Sequence, residues 1–246
     1  MRLAKFVSLL LILVFIFPAL ATAGWWSLRD RPDSWSSADW SATGILLDPA
    51  ADEEAAVYLM AARTGGLKGA FSVHSWIVMK EPAGREYVRY DTVGWGMPIR
   101  RNGYPADARW YSNDPEIIHS VRGEEAARLI PLFEAAIERY PYSGRGDYRI
   151  WPGPNSNSFI AYLLREVPEF GAVMPPNAVG RDFAPGFFSA DWSPEAWDFH
   201  ATFGGFLGFA AGLRSGLEVH FAGLVAGIDF MRPALKIPAY GRLELI

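Results

Sequence analysis

The chain has 246 residues, half of them apolar and a fifth charged, which suits one compact domain with a real core and excludes a disordered segment. Its 23 basic and 27 acidic residues leave a net charge of −4, and no Lys/Arg cluster exceeds Arg100-Arg101, so the electrostatic footprint of a nucleic-acid binder is missing. Cysteine is absent, which excludes disulfides, thiolate nucleophiles and sulfur-ligated metal.

At the N-terminus, "MRLAKFVSLLLILVFIFPALATAGWW" places Arg2 and Lys5 before an apolar run from Phe6 to Leu20. Ala21-Thr22-Ala23 follows, the small-x-small pattern of a signal-peptidase site. The run alone is shorter than the ~20 apolar residues that span a bilayer, but if it stays uncleaved Gly24, Trp25 and Trp26 extend it to spanning length. Residues 1–23 thus read as a signal peptide or an N-terminal membrane anchor. In both cases the positive residues stay inside and the rest of the chain faces the periplasmic side of the inner membrane. Residues 24–51, rich in Trp, Ser, Asp and Pro with no sustained period, read as a linker, and 52–246 as a single domain.

Within that domain, "AVYLMAAR" (56–63) reads as a strand, with a helix over 53–63 as the alternative, and "AFSVHSWIVMK" (70–80) as the next strand after a glycine turn. "EPAGR" (81–85) is a turn signal and "EYVRYDTVGWG" (86–96) a third strand. Residues 97–115, studded with Gly, Pro and Asn, read as an irregular loop, and "IIHSVR" (117–122) as a short strand. "GEEAARLIPLFEAAIERYPY" sets Ala126, Leu129, Ile130, Phe133, Ile137 and Tyr140 at helical spacing, with Pro131 as a kink or the true start. A second helix begins after "WPGPNSNS" with Phe159, Ile160, Leu163 and Leu164 on one side. An aromatic loop (181–199) leads to a glycine-rich apolar tail, too short in either half to cross a membrane as a helix, which reads as a buried β-hairpin. The expected fold class is α+β: an antiparallel sheet with two or three helices and a C-terminal hairpin.

Of four histidines, His74 alone lies inside a near-continuous apolar strand, on the same face as Trp76. A turn at 81–85 sets it opposite Asp91 or Thr92, and an Asp there would fix its tautomer and support its charge. In "NSNSF", Asn155 or Ser156 would cap the second helix, and a serine at that positive end, Ser156 or Ser158, is a candidate nucleophile with a strand-borne histidine as base. His119, His200 and His220 show no ligand spacing, Asp147, Asp182 and Asp191 read as solvated loop residues, and no metal or other cofactor is expected. Trp95, Trp110, Trp151, Trp192 and Trp197 read as core or edge-sealing residues, with a lipid or glycan groove as the functional alternative.

"FSVHSWIVMK", "YVRYDTVGWG", "RRNGYP", "RYPY" and "WPGPNSNSFIAYLLREVPEFGAVMPP" together resemble the bacterial domain-of-unknown-function family numbered 3750, over nearly all of the chain beyond the N-terminal segment. More remotely, a histidine-bearing strand, a second strand, helices and an Asn-nucleophile-x-x-Phe helix start are similar to the permuted papain-like superfamily, which holds NlpC-type peptidases and lecithin-retinol acyltransferases. That resemblance implies a papain-like layout with Ser156 at the cysteine position, Phe159 at the aromatic and His74 as the upstream histidine. Serine in place of cysteine needs a well-placed base and an oxyanion hole. The expectation is an amide or ester hydrolase or acyltransferase of the cell envelope, with Ser156, His74 and Asp91 catalytic and the backbone amides at Asn157 and nearby on the oxyanion. Asn155, Asn157, Trp151 and Trp76 would face substrate. The competing expectation is an inactive envelope protein holding a lipid, glycan or peptide partner in the same cleft, and a third is a structural membrane-associated protein.

Overall fold

A computed structural model describes residues 2–245. Over these residues the chain forms an N-terminal helix, a five-stranded antiparallel sheet with two helices on one face, and a seven-stranded antiparallel sheet, an α+β protein. Helices α1 (Arg2–Leu11) and α2 (Phe17–Ser27), joined by the π-helical turn Ile12–Ile16, make one apolar helix of 26 residues, long enough to cross a membrane.

In the first sheet the strand order is β4 (Ile99–Arg101), β3 (Val88–Thr92), β2 (Val73–Lys80), β1 (Ala56–Arg63), β5 (Glu116–Arg122). β1 and β2 are apolar almost throughout because both faces are covered. Val57, Leu59, Ala61, Ile77 and Met79 face helices α3 (Glu124–Glu138) and α4 (Ser156–Glu166), meeting Leu129, Phe133, Phe159 and Leu163 in one core. Tyr58, Met60, Trp76 and Val78 face the other way, under Trp110 and the linker residue Trp40. Fully burying one such Leu or Phe contributes about 2–3 kcal/mol, so this two-sided layer carries much of the stability.

Several sequence boundaries shift. The strand read over 56–63 is β1, so the helix alternative over 53–63 falls away, and Gly66–Ala70 is a 3-10 turn ahead of β2. The loop at 97–115 contains β4. α3 begins at Glu124 and runs through Pro131, so that proline is not the helix start. The β2–β3 turn is longer than 81–85, and its register pairs Ile77 with Tyr90 and Met79 with Val88. Extended, this sets Asp91 across from Trp76 and one step diagonal to His74, on the same face.

The expected C-terminal hairpin is the middle of a larger meander, β6 to β12: Phe188–Ser193, Asp198–Phe203, Leu207–Gly212, Gly216–Phe221, Leu224–Asp229, Ala234–Ile237 and Gly241–Glu244. The aromatic loop supplies β6 and the start of β7. Tight reversals with left-handed residues, at Gly204-Gly205 and Ala222-Gly223, let each six-residue strand return at once.

Candidate functional site

Asn155 is the N-cap of α4, in an extended conformation, and its Oδ1 accepts from the backbone N–H groups of Asn157 (2.9 Å) and Ser158 (3.1 Å). The Ser158 hydroxyl accepts in return from the Asn155 N–H (3.2 Å) and donates to the Gly180 carbonyl (2.7 Å), closing a capping box. Asn157 ties the helix start to β2 and the 175–183 loop, its Nδ2 donating to the carbonyls of Val73 and Val179, both at 2.9 Å. Gly180 must lack a side chain: its φ is +99°, and a Cβ would meet the Asn155 amide at 2.2 Å. Of the four small polar residues, Ser156 is left outside this scaffold. It lines the same cavity as the Tyr148 phenol, whose pKa burial pushes up and the proximity of Ser156 pulls back.

On β2, His74 is buried, and its Nε2 lies 3.1 Å from Asp91 Oδ2. The ring stacks on Trp110 with centroids 3.6 Å apart and planes 2° from parallel. The same carboxylate oxygen accepts from Arg89 Nη2 at 2.8 Å, and the Arg89 guanidinium lies 4.0 Å above the Trp76 ring and reaches the Pro105 carbonyl. Burial disfavours the charged imidazole, outweighs the attraction of Asp91 and lowers the His74 pKa. Burial alone would raise Asp91, but the His74 hydrogen bond and the Arg89 charge hold it below the ordinary carboxylate value. At neutral pH the pair is therefore a neutral imidazole donating to a carboxylate, with Arg89 as the counter-ion.

His74 and Ser156 line one cavity of about 210 Å³, together with Ser72, Tyr148, Trp151, Asn155 and Asn157. β3 pairs with β2 only from Ile77 onward, so the start of β2 has an open edge where a histidine on one face and a helix terminus on the other reach the same space. Two expectations need correcting. Trp76 is fully buried, donates its indole N–H to the Ala106 carbonyl and lies outside the cavity wall; its role is to carry Arg89. The Asn157 N–H is held by Asn155, as is that of Ser158, so of the amides expected there and nearby it is that of Ser156 which lies outside the cap bonds. Trp151 does stand at the rim, half exposed, with its indole N–H on the Ala222 carbonyl.

The histidines set aside by spacing form a second cluster. His220 on β9 puts Nδ1 2.9 Å from Asp182 and Nε2 2.9 Å from Glu218; His200 on β7 reaches Asp182 at 3.2 Å. Arg181 and Lys236 both bind Glu218. Asp182 is buried rather than solvated. Ala210 and Gly208 on the intervening β8 leave the room these side chains need. The cluster opens on a cavity of about 340 Å³. Its donor atoms on Asp182, His200 and His220 lie within 4.8 Å of one another, as a divalent ion requires. Arg181 and Lys236 already match the two carboxylates, however, and Arg181 Nε stands 3.8 Å from the shared Asp182 oxygen, so the chemistry of the set is that of a closed ion network. The sequence signal was present in its period: His200-x-Thr202 and Glu218-x-His220 put polar groups at alternate positions of apolar strands.

No curated protein and no solved structure matches the chain. A family of proteins of unknown function, DUF3750, matches residues 54–183, more than half of the 246 residues. The match is narrower than the sequence motifs suggested: it holds β1 to α4, His74, Asp91, Ser156 and Asp182, and leaves the seven-stranded sheet outside. On that match the chain belongs to the DUF3750 family.

Proposed function

We propose that the cavity at the open edge of β2 is an acyl-transfer site of a cell-envelope protein. The observation that carries this reading is the shared cavity: a neutral histidine oriented by a buried aspartate lines the same space as the one serine hydroxyl at the α4 N-terminus outside the cap. With Nε2 held on Asp91, Nδ1 is the nitrogen that takes the Ser156 proton as Oγ attacks the carbonyl of an amide or ester. The same proton passes to the departing amine or alcohol when the tetrahedral adduct collapses, and water or a second acceptor then releases the acyl group from Ser156. The Ser156 N–H and the Tyr148 phenol are the donors placed to meet the oxyanion. The order of histidine strand, second strand, helix and Asn-capped helix supports the papain-like resemblance, and Arg2 and Lys5 at the N-terminal end of the apolar helix support a domain on the periplasmic side.

One observation favours the second reading, a non-catalytic protein holding a lipid, glycan or peptide: the Tyr148 phenol shares the cavity with Ser156 and lies close enough to the serine to compete for its hydroxyl. A fluorophosphonate probe separates the two. Labelling of the wild type that disappears in Ser156→Ala and His74→Ala is the expected result; a folded wild type that never labels favours the binding reading.

A further inference from the structure

The seven-stranded sheet is built inside out. A sheet with one face in water alternates apolar inward with polar outward. Here the row His200, Ala210, Glu218, Gly227, Lys236 and Arg242 runs along one face, joined strand to strand by the register, and carries the buried ion network. On the opposite face Leu217 pairs with Ile228, Ile228 with Leu235 and Leu235 with Leu243, and Phe209 pairs with Val219. All six side chains are 37–52 % exposed. None of the outward-facing positions of β6 to β12 carries a charge. Soluble monomers rarely show a continuous apolar face of this extent, and one usually marks a binding surface.

What covers it is decided by the N-terminal helix. Phe221, two residues beyond Val219 on the same outward face, packs on Phe15 with ring centroids 5.6 Å apart. Phe15 lies at the middle of the 26-residue apolar helix, so whatever medium surrounds the centre of that helix also meets this end of the sheet's central strand. From this the geometry points to the lipid bilayer as the occupant: the outward face of β6 to β12 lies against the acyl chains beside its own membrane helix. Edge strands β6 and β12 have unpaired backbone groups that hydrocarbon does not tolerate. Because Phe15 is mid-helix and Phe221 ends the central strand of the sheet, helix and sheet lie at one depth, so both rest along the membrane surface, apolar side chains immersed and sheet edges at the headgroup level, as monotopic surfaces do. Glu218, Asp229, Lys236 and Arg242, charges which a water-facing sheet would turn outward, are on the other face and paired there. This inference rests on the helix being embedded and is independent of any chemistry at Ser156.

The absence of cysteine makes the test direct. Single-cysteine variants Leu217→Cys, Val219→Cys and Phe209→Cys of the full chain, with Leu9→Cys for the helix and Glu86→Cys for an exposed turn, are labelled with an environment-sensitive fluorophore. Each is then reconstituted in phosphatidylcholine–phosphatidylglycerol vesicles with or without brominated acyl chains. The three sheet probes are expected to lose at least about half of their emission to the brominated lipid, with the Glu86 probe unaffected. Sheet probes quenched only by aqueous iodide overturn the proposal, as does protection from both quenchers with crosslinking between two copies, which would assign the face to a second chain. The Leu9 probe reports insertion of the helix separately, so failure of the anchor and failure of the sheet to touch lipid give different patterns.

Discussion

At His74 the direction of proton affinity sets both what the ring does and how stability responds to pH. Burial lowers its pKa in the folded state, so below the ordinary histidine value of about 6.5 the unfolded chain binds the extra proton. The contribution of His74 is whole above that pH and is lost as pH falls toward the folded value; Asp91, also lowered, adds a second loss below about pH 4. His220, held above its ordinary value by the charges and hydrogen bonds of Asp182 and Glu218 despite its burial, acts in the opposite sense, so the informative comparison is between variants. His74→Gln, which keeps a donor for Asp91, should flatten the wild-type decline in urea midpoint between pH 6.5 and 5, where one proton is worth at most about 1.4 kcal/mol per pH unit. An unchanged pH profile would mean that the imidazole titrates normally. Asp91→Asn tests the other partner: it leaves the buried Arg89 without a counter-charge, for which about 3–5 kcal/mol of lost stability is expected in urea unfolding. His74 itself stood out in the sequence because it interrupts an apolar strand. The neutral state of its ring was not legible there, since it depends on Trp110 and Arg89, brought in from loops and a neighbouring strand.

At the scale of the element, the start of α4 is held by more bonds than a surface cap makes. Asn155 accepts two backbone amides and donates to the carbonyls of Ile150 and Val179. Asn155→Ala should therefore cost more than the roughly 1 kcal/mol of an ordinary cap, about 2–3 kcal/mol with the stranded buried groups included. A calorimetric melting scan reads it, and a loss under about 0.5 kcal/mol would show that water replaces the side chain. The helical period of α3 and the cap of α4 were read correctly from residues alone, because both signals are local. The β2–β3 register was misplaced because a turn of unknown length shifts every pair after it: it lies one residue beyond the Thr92 pairing and two beyond the Asp91 pairing, and the two-residue slip keeps His74 and Asp91 on one face. The seven strands were compressed into one hairpin because glycine and alanine fill so many inward positions that the two-residue alternation is muted.

Across the whole molecule, two contacts tie the parts together and can be cut separately. Trp26 is buried where α2 meets the Gly66–Ala70 turn, donating its indole N–H to the Gly66 carbonyl at 2.9 Å, and a side chain at Gly69 would strike both the Thr64 carbonyl and the Trp26 ring. Cleavage after Ala23 would leave this tryptophan in place. A chain beginning at Gly24 should therefore melt several degrees above one beginning at Leu28, which loses about 3 kcal/mol or more with the indole; equal melting temperatures would show that Trp26 does not brace the domain. Glu218 joins Arg181, from the family-matched part, to Lys236 of the second sheet. Glu218→Gln should lower stability by about 3–5 kcal/mol, because it strands two buried cations.

What the sequence determined by itself was whatever depends on neighbours along the chain: the apolar N-terminal run, the apolar strands, the period of α3, a helix cap at Asn155 or Ser156 and the absence of thiol chemistry. Only the tertiary structure decided which residues meet. It put His74 and Ser156 on one cavity, withdrew Trp76 from it, gathered Asp182, His200, Glu218 and His220 into a closed network, and turned the apolar side of the second sheet outward. The physical reason is that side-chain alternation says a strand has two unlike faces, while which face meets the protein is set by what packs on it: the Phe15 contact and the ion network lie on opposite sides of the same seven strands.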